Sequence, residues 1–182
     1  MIEKRGDWTK LSSRVVHKNS YYSVREDMVI KPDGSKGFYN VVQGIAAVFI
    51  IVIDENNDIY LVGLHRYPNN IYSIEVPSGS TDNQDPLVAA KRELQEETGL
   101  TASDWKYLGI LHPANGFLDI NHYIFIAKGL KHTHLNHQAE EGISKIYKVQ
   151  FKQVLNMIKN GEITDSDTVS ALTLAAIELK LI

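Results

Sequence analysis

Residues 75–100, EVPSGSTDNQDPLVAAKRELQEETGL, decide how the rest of the chain is read. Asp85 is a good N-cap, Pro86 suits a first helical position that has no use for an amide hydrogen, and Gly99 suits the residue just past a helix end. Nothing between them breaks a helix, so the stretch predicts one short helix between two clear boundaries. At about 100° per residue, Glu93, Glu96 and Glu97 share one face, while Leu87, Ala90 and Leu94 form an apolar stripe on another. Carboxylates near a helix C-terminus oppose the helix dipole and repel one another by roughly a few tenths of a kcal/mol per pair. Arg92, four residues before Glu96, is the only local relief. A hard divalent cation would supply the missing charge, and Mg²⁺ in particular is held by a few carboxylates, water and substrate phosphates. A solvated acidic face is the competing reading.

The wider pattern separates the two. A Gly-containing turn, then Arg92-Glu93-Leu94-Gln95-Glu96-Glu97-Thr98-Gly99-Leu100, closely resembles the signature of the Nudix hydrolases. That signature runs Gly, five residues, Glu, seven residues, Arg-Glu-hydrophobe-any-Glu-Glu-any-Gly-hydrophobe, and Arg92 to Leu100 matches at every specified position. The first half departs from it. Counting back from Arg92 puts the signature's Gly at Ser78 and its Glu at Gln84; taking Gly79 as that Gly leaves the loop one residue short. Either way the first glutamate is absent. In the family it mainly braces the Arg, so the resemblance implies a reorganised loop more than lost metal binding.

At 182 residues and 43% hydrophobic composition, the chain is long enough for one sizeable core and short for two, so one domain over 1–182 is expected. The absence of cysteine excludes disulfides and thiolate metal sites, and MIEKRGDWTK has no apolar signal-peptide core, which fits a cytoplasmic protein. A net charge of −3 with scattered Lys and Arg provides no basic stripe for nucleic acid, and small anionic substrates would be captured locally by metal and individual arginines. The longest apolar run, Gly44 to Ile53, is too short to cross a bilayer.

Extended structure is expected from Val15 to Val42, with Tyr21–Ile30 and Phe38–Val42 as the strands of a hairpin turned at Pro32-Asp33-Gly34. Ile45–Ile53 reads as a buried strand that turns at Asp54–Asp58 into Ile59–Leu64, and Tyr72–Val76 leads into the acidic helix. Tyr107–Leu111, Tyr123–Ala127 and Ile143–Val149 are further strands, and Phe151–Lys159 and Thr168–Leu181 are closing helices. This order resembles the Nudix α/β/α sandwich. The fold expected is α/β with a mixed sheet, one internal helix, a hairpin extension over 1–43 and a catalytic core over 44–182.

LVGLHRYP at 61–68, the Glu75–Gly79 segment, and Leu108–Ala127 with its PANGF at 113–117 resemble the ADP-ribose and nucleoside-diphosphate-sugar pyrophosphatase branch. Asn115 stands where ADP-ribose-preferring members commonly carry a second proline, which leaves base and sugar open. The resemblance implies Mg²⁺-dependent hydrolysis, with Mn²⁺ as an alternative ion, of a nucleoside diphosphate linked to a sugar. The products would be a nucleoside monophosphate and a sugar phosphate. It also implies Glu93, Glu96 and Glu97 as metal ligands with the Ser78 backbone carbonyl, and Arg92 as the group that orients them. The general base would come from Glu140 or Glu141 before the last strand, Glu141 being favoured, or from Glu96 or Glu97. Arg66 could clamp a phosphate or distal sugar through its planar fork, or pair with Glu75, and Asn115 and Gly116 belong to the substrate-binding segment.

Trp8, Tyr67 and Phe117 could stack on a base or sit in the core; His132, His134 and His137 have zinc-like spacing but lie in a polar loop without Cys, which favours exposure. The branch also implies a two-fold homodimer in which the N-terminal segment completes the partner's pocket. Two other functions fit the same signature: a nucleotide sensor that has lost turnover, suggested by Gln84, and hydrolysis of nucleoside triphosphates or dinucleoside polyphosphates.

Overall fold

The computed structural model describes residues 2–133, 135 and 137–182. In chain order the strands are β1 (Glu3–Arg5), β2 (Trp8–Lys18), β3 (Tyr22–Ile30), β4 (Lys36–Gly44), β5 (Ala47–Ile53), β6 (Asp58–Arg66), β7 (Ile71–Glu75) and β8 (Ser78–Ser80). Helix α1 (Pro86–Thr98) follows, then β9 (Leu100–Leu111), β10 (Leu118–Asp119), β11 (His122–His132), β12 (Ile143–Gln150), α2 (Phe151–Lys159) and α3 (Ser166–Glu178). The chain forms two compact units, Met1–Ile45 with His112–Asn121, and Ala46–Leu111 with His122–Ile182.

The first unit is a five-stranded sheet in the order β1-β2-β3-β4-β10. Its hairpin β3–β4 closes through the Lys31–Ser35 turn, where Gly34 N–H donates to the Lys31 carbonyl at 2.9 Å. Strand β2 starts seven residues before the extended structure read from the sequence. Register shifts at Lys10/Ser12 and Val15/His17 break its period-two alternation, so its pairing with β1 and β3 is what makes it a strand.

The second unit is an α/β/α sandwich. Its sheet runs β12-β6-β5-β11-β9, with β7 paired to β6 and β8 to β5. Strand β5 is apolar at successive positions because both its faces are buried. Phe49, Ile51 and Ile53 pack with Phe151, Val154 and Leu172 of α2 and α3, whereas Val48, Ile50 and Val52 pack with Ala90 and Leu94 of α1. Strands β5 and β6 pair only at Val52–Tyr60 and Ile53–Ile59, beside their turn. Beyond that they part, β7 bonding to β6 and β8 to β5, and the Val76–Pro77 junction lies in the opening.

Strand β9 begins at Leu100, directly after the helix, not at Tyr107. TASDW is locally polar, and its extended form comes from pairing with Ala127–His132 of β11. Helix α3 begins at Ser166 because the Asp165 side chain accepts from Thr168 N–H at 2.8 Å, two residues earlier than its apolar pattern suggests.

Candidate active site

Helix α1 forms as its boundary residues dictate. Asp85 Oδ1 accepts from Leu87 N–H at 2.9 Å and Val88 N–H at 3.2 Å, and Gly99 closes the helix at φ 68°, a backbone few side chains tolerate. With Ala90 and Leu94 fully buried against β5, the helix face bearing Glu93 and Glu97 meets β8. Gly79 permits that approach, since a Cβ there would fall on the Glu93 carboxyl group. Ser78 N–H donates to Glu97 Oε2 at 2.8 Å. The Gly-containing turn and the acidic helix are thus one structure.

Arg92 ties the face together. Its Nη1 lies 2.7 Å from Glu93 Oε1 and 2.9 Å from Glu96 Oε2, while Nη2 donates to the Ser80 carbonyl at 2.8 Å and reaches Asp82 Oδ2 at 3.3 Å. Asp82 fills the bracing position that Gln84 leaves vacant. Sequence spacing missed it because Asp82 and Asn83 both adopt left-handed backbone, φ 48° and 62°, which turns the loop back on Arg92. Asp and Asn are the residue types that tolerate this conformation, and an Asp-Asn pair before the helix was the available signal.

Burial drives both inner carboxyls up, Glu93 to about 7 and Glu97 to about 8. Arg92 opposes the rise at Glu93, as the Ser78 amide does at Glu97, whereas Glu141 adds to both and Glu93 adds to Glu97. Two carboxylates held one turn apart in a dry site are a poor resting arrangement and a good cation site. Among the described residues no three acidic or histidine side chains already stand together for a metal. Arg92 holds both Glu93 and Glu96, and Glu93 and Glu97 are the buried carboxyls, so this pair with Glu96 beside it is the group whose chemistry fits a divalent ion.

The segment before β12 docks on this helix through its backbone. His137 N–H donates to the Glu96 carbonyl at 2.7 Å, and Thr133 N–H to the Gly99 carbonyl at 2.8 Å. Glu140 and Glu141 are exposed on the following turn; Glu140 Oε2 lies 3.5 Å from His137 Nδ1, while Glu141 sends its charge toward Glu93 and Glu97. His132 and His137 are exposed, and His134 lies outside the described residues.

Arg66 grips Glu75 with both arms of its fork, Nε to Oε1 at 2.9 Å and Nη2 to Oε2 at 2.5 Å, and Glu75 is buried. The pair lines a cavity of about 430 Å³ that also touches Ser78. In the first unit, Asn115 and Phe117 line a separate cleft of about 300 Å³ with Trp8 and Tyr39, whose rings meet edge to face at 5.3 Å. The Gly116 carbonyl accepts from Tyr39 Oη at 2.7 Å. Asp27, also in that cleft and buried, leaves Oδ1 without a partner among the described residues. Tyr67 is 95% exposed and stacks on no ring among the described residues.

Residues 44–172 match the NUDIX domain family, and residues 8–42 match the nucleoside diphosphate sugar hydrolase N-terminal domain. The chain belongs to the Nudix family. An ADP-ribose pyrophosphatase of Mycobacterium tuberculosis is 35% identical over 127 residues, 69% of this chain and 61% of that protein, so the chain spans about three-fifths of that relative's length. A methanol dehydrogenase activator of Bacillus methanolicus is 32% identical over 148 residues, 80% of each chain. A crystal structure of an ADP compounds hydrolase superposes with a TM-score of 0.84 over 98% of this chain and 97% of that one, at 21% identity, and so shares the fold.

Proposed function

We propose that this protein hydrolyses the diphosphate bond of ADP-ribose or a nucleoside diphosphate sugar, using Mg²⁺ or Mn²⁺, to a nucleoside monophosphate and a sugar phosphate. The observation that carries the reading is the buried pair Glu93 and Glu97, raised to about 7 and about 8 where a cation would restore both to the ionised form. Glu93, Glu96 and Glu97, with the Ser78 backbone, would hold the ion. When bound, it would neutralise the diphosphate oxygens and lower the pKa of a coordinated water. Arg92 keeps the glutamates in place, and Glu141 would take a proton from the attacking water as its oxygen bonds to one phosphorus and that phosphorus loses its bond to the bridging oxygen, which leaves on the other phosphate. The names of the relatives support the same substrate class. The sensor reading rested on the missing brace glutamate, and Asp82 on Arg92 weighs against it.

We further take 44–182 as the catalytic core and 1–43 as a dimer-forming segment of one functional domain, working in the cytoplasm as a C₂ homodimer. Exposed Val15, Val16, Met28 and Phe38 on the first unit support a partner surface. The test of function is product release from ADP-ribose, nucleoside diphosphate sugars, dinucleotides and triphosphates with Mg²⁺, Mn²⁺ or chelator, wild type beside Glu97→Gln. Metal-dependent cleavage of the diphosphate sugars that vanishes in the variant is expected. No turnover with any compound would refute the proposal.

A further inference from the structure

The cavity beside Arg66 is built for hydroxyl groups. Strand β7 presents Ile71, Ser73 and Glu75 to it from alternate positions of one face. Ser73 is 5% exposed and lines the cavity, and its hydroxyl has no hydrogen-bond partner among the described residues. Facing it is the first turn of α3. Asp165 there gives Oδ2 to the helix cap and Asp167 gives Oδ1 to His122, whose Nδ1 lies 2.9 Å away, and the second oxygen of each has no partner among the described residues. The His122 ring in turn packs on Phe49, another lining residue, at 4.8 Å.

Three carboxylates, Glu75, Asp165 and Asp167, and a single guanidinium make this wall net acidic. Sugar hydroxyls can donate to Asp167 and accept from Ser73. A second phosphate would meet like charge and lose. We propose that this cavity binds the neutral sugar on the far side of the scissile diphosphate, and that Ser73 and Asp167, the latter positioned by His122, determine specificity for it. The inference rests on the hydrolase reading for its substrate class. It adds that an uncharged, polyhydroxylated distal group is selected and a charged one rejected.

Steady-state kinetics with Mg²⁺ on ADP-ribose and GDP-mannose, whose distal groups are neutral, and on ATP and diadenosine tetraphosphate, whose distal groups are charged, test it. Asp167→Asn and Ser73→Ala should each raise KM for both sugar nucleotides about tenfold with kcat within about threefold. Asp167→Lys should narrow the preference for sugar nucleotides over ATP by about tenfold. Unchanged KM in both of the first two variants overturns the proposal. Calorimetry with Mg²⁺ separates the two readings. Wild type should bind ribose 5-phosphate at least about tenfold more tightly than inorganic phosphate, and Asp167→Asn and Ser73→Ala should each erase that advantage. If wild type cleaves none of the four compounds, the hydrolase reading falls and this binding comparison still decides. A ribose preference lost in the variants upholds the sugar site, and equal binding of the two ligands by wild type overturns it.

Discussion

Replacing Glu97 by Gln should stabilise the metal-free protein while abolishing its response to metal. Glu97 is buried, and its carboxyl is raised from 4.5 to about 8. Below pH 4.5 it is protonated both folded and unfolded. Between 4.5 and about 8 the folded chain keeps a proton that the unfolded chain has released, so stability falls as pH rises through that window. At about 1.4 kcal/mol per pH unit the whole shift sets an upper bound of about 5 kcal/mol at pH 8.5. Glu93 shares this burden, because the two carboxylates repel each other and neutralising either eases the other, which leaves about 2–3 kcal/mol for Glu97 alone. Gln keeps a carbonyl for the Ser78 amide and brings no charge to bury. For a chain of this size, about 2–4 °C per kcal/mol gives a rise in Tm of roughly 5–10 °C at pH 8.5 in chelator, and almost none at pH 5. Adding Mg²⁺ at pH 8.5 should raise the wild-type Tm and leave the variant nearly unmoved. Differential scanning calorimetry across pH 5–8.5 checks both. A variant no more stable than wild type at pH 8.5, or equally stabilised at pH 5, would refute the electrostatic account of the site.

Gly79→Ala should lower metal-dependent turnover by at least about 100-fold, because the new Cβ displaces the Glu93 carboxylate; kinetics beside a Mg²⁺ titration of Tm would show both losses together. Glu141→Gln should reduce kcat by about 10²–10³ with the Mg²⁺ midpoint unchanged, whereas Glu140→Gln should stay within about threefold, and the reverse ranking would move the base to Glu140. Thr168→Val removes the buried hydroxyl that accepts from Val76 N–H at 3.2 Å, so it should cost about 1–3 kcal/mol and lower Tm without changing the shape of the side chain. Val15→Glu with Phe38→Glu should convert a dimer to monomer in light scattering, and an unchanged mass would remove this face from the interface.

The helix carrying the site was legible because its signals are local. Asp85, Pro86 and Gly99 act within a few residues of themselves, so α1 runs from Pro86 to Thr98 between the boundaries that pattern marks. The buried run of β5 and the closing helix α2 were legible for the same reason, each having a periodicity its own residues carry. Strand β2 and the first half of β9 were not, since bulges or polar residues hide their alternation and only a partner strand makes them extended. The brace of Arg92 by Asp82 was hidden by a loop whose left-handed turns cancel the count along the chain.

By itself, then, the sequence determined the acidic helix, its family resemblance and the three glutamates that could take a metal, because spacing along a helix converts directly into a shared face. Tertiary structure decided everything that needs two distant segments at once. Gly79 sits against Glu93, Ser78 holds Glu97, Glu75 engages Arg66, and the first turn of α3 faces Ser73 only because β5 and β6 part and α3 packs at the opening. The raised carboxyls follow from that assembly, since desolvation is a property of what surrounds a side chain and not of its neighbours in sequence.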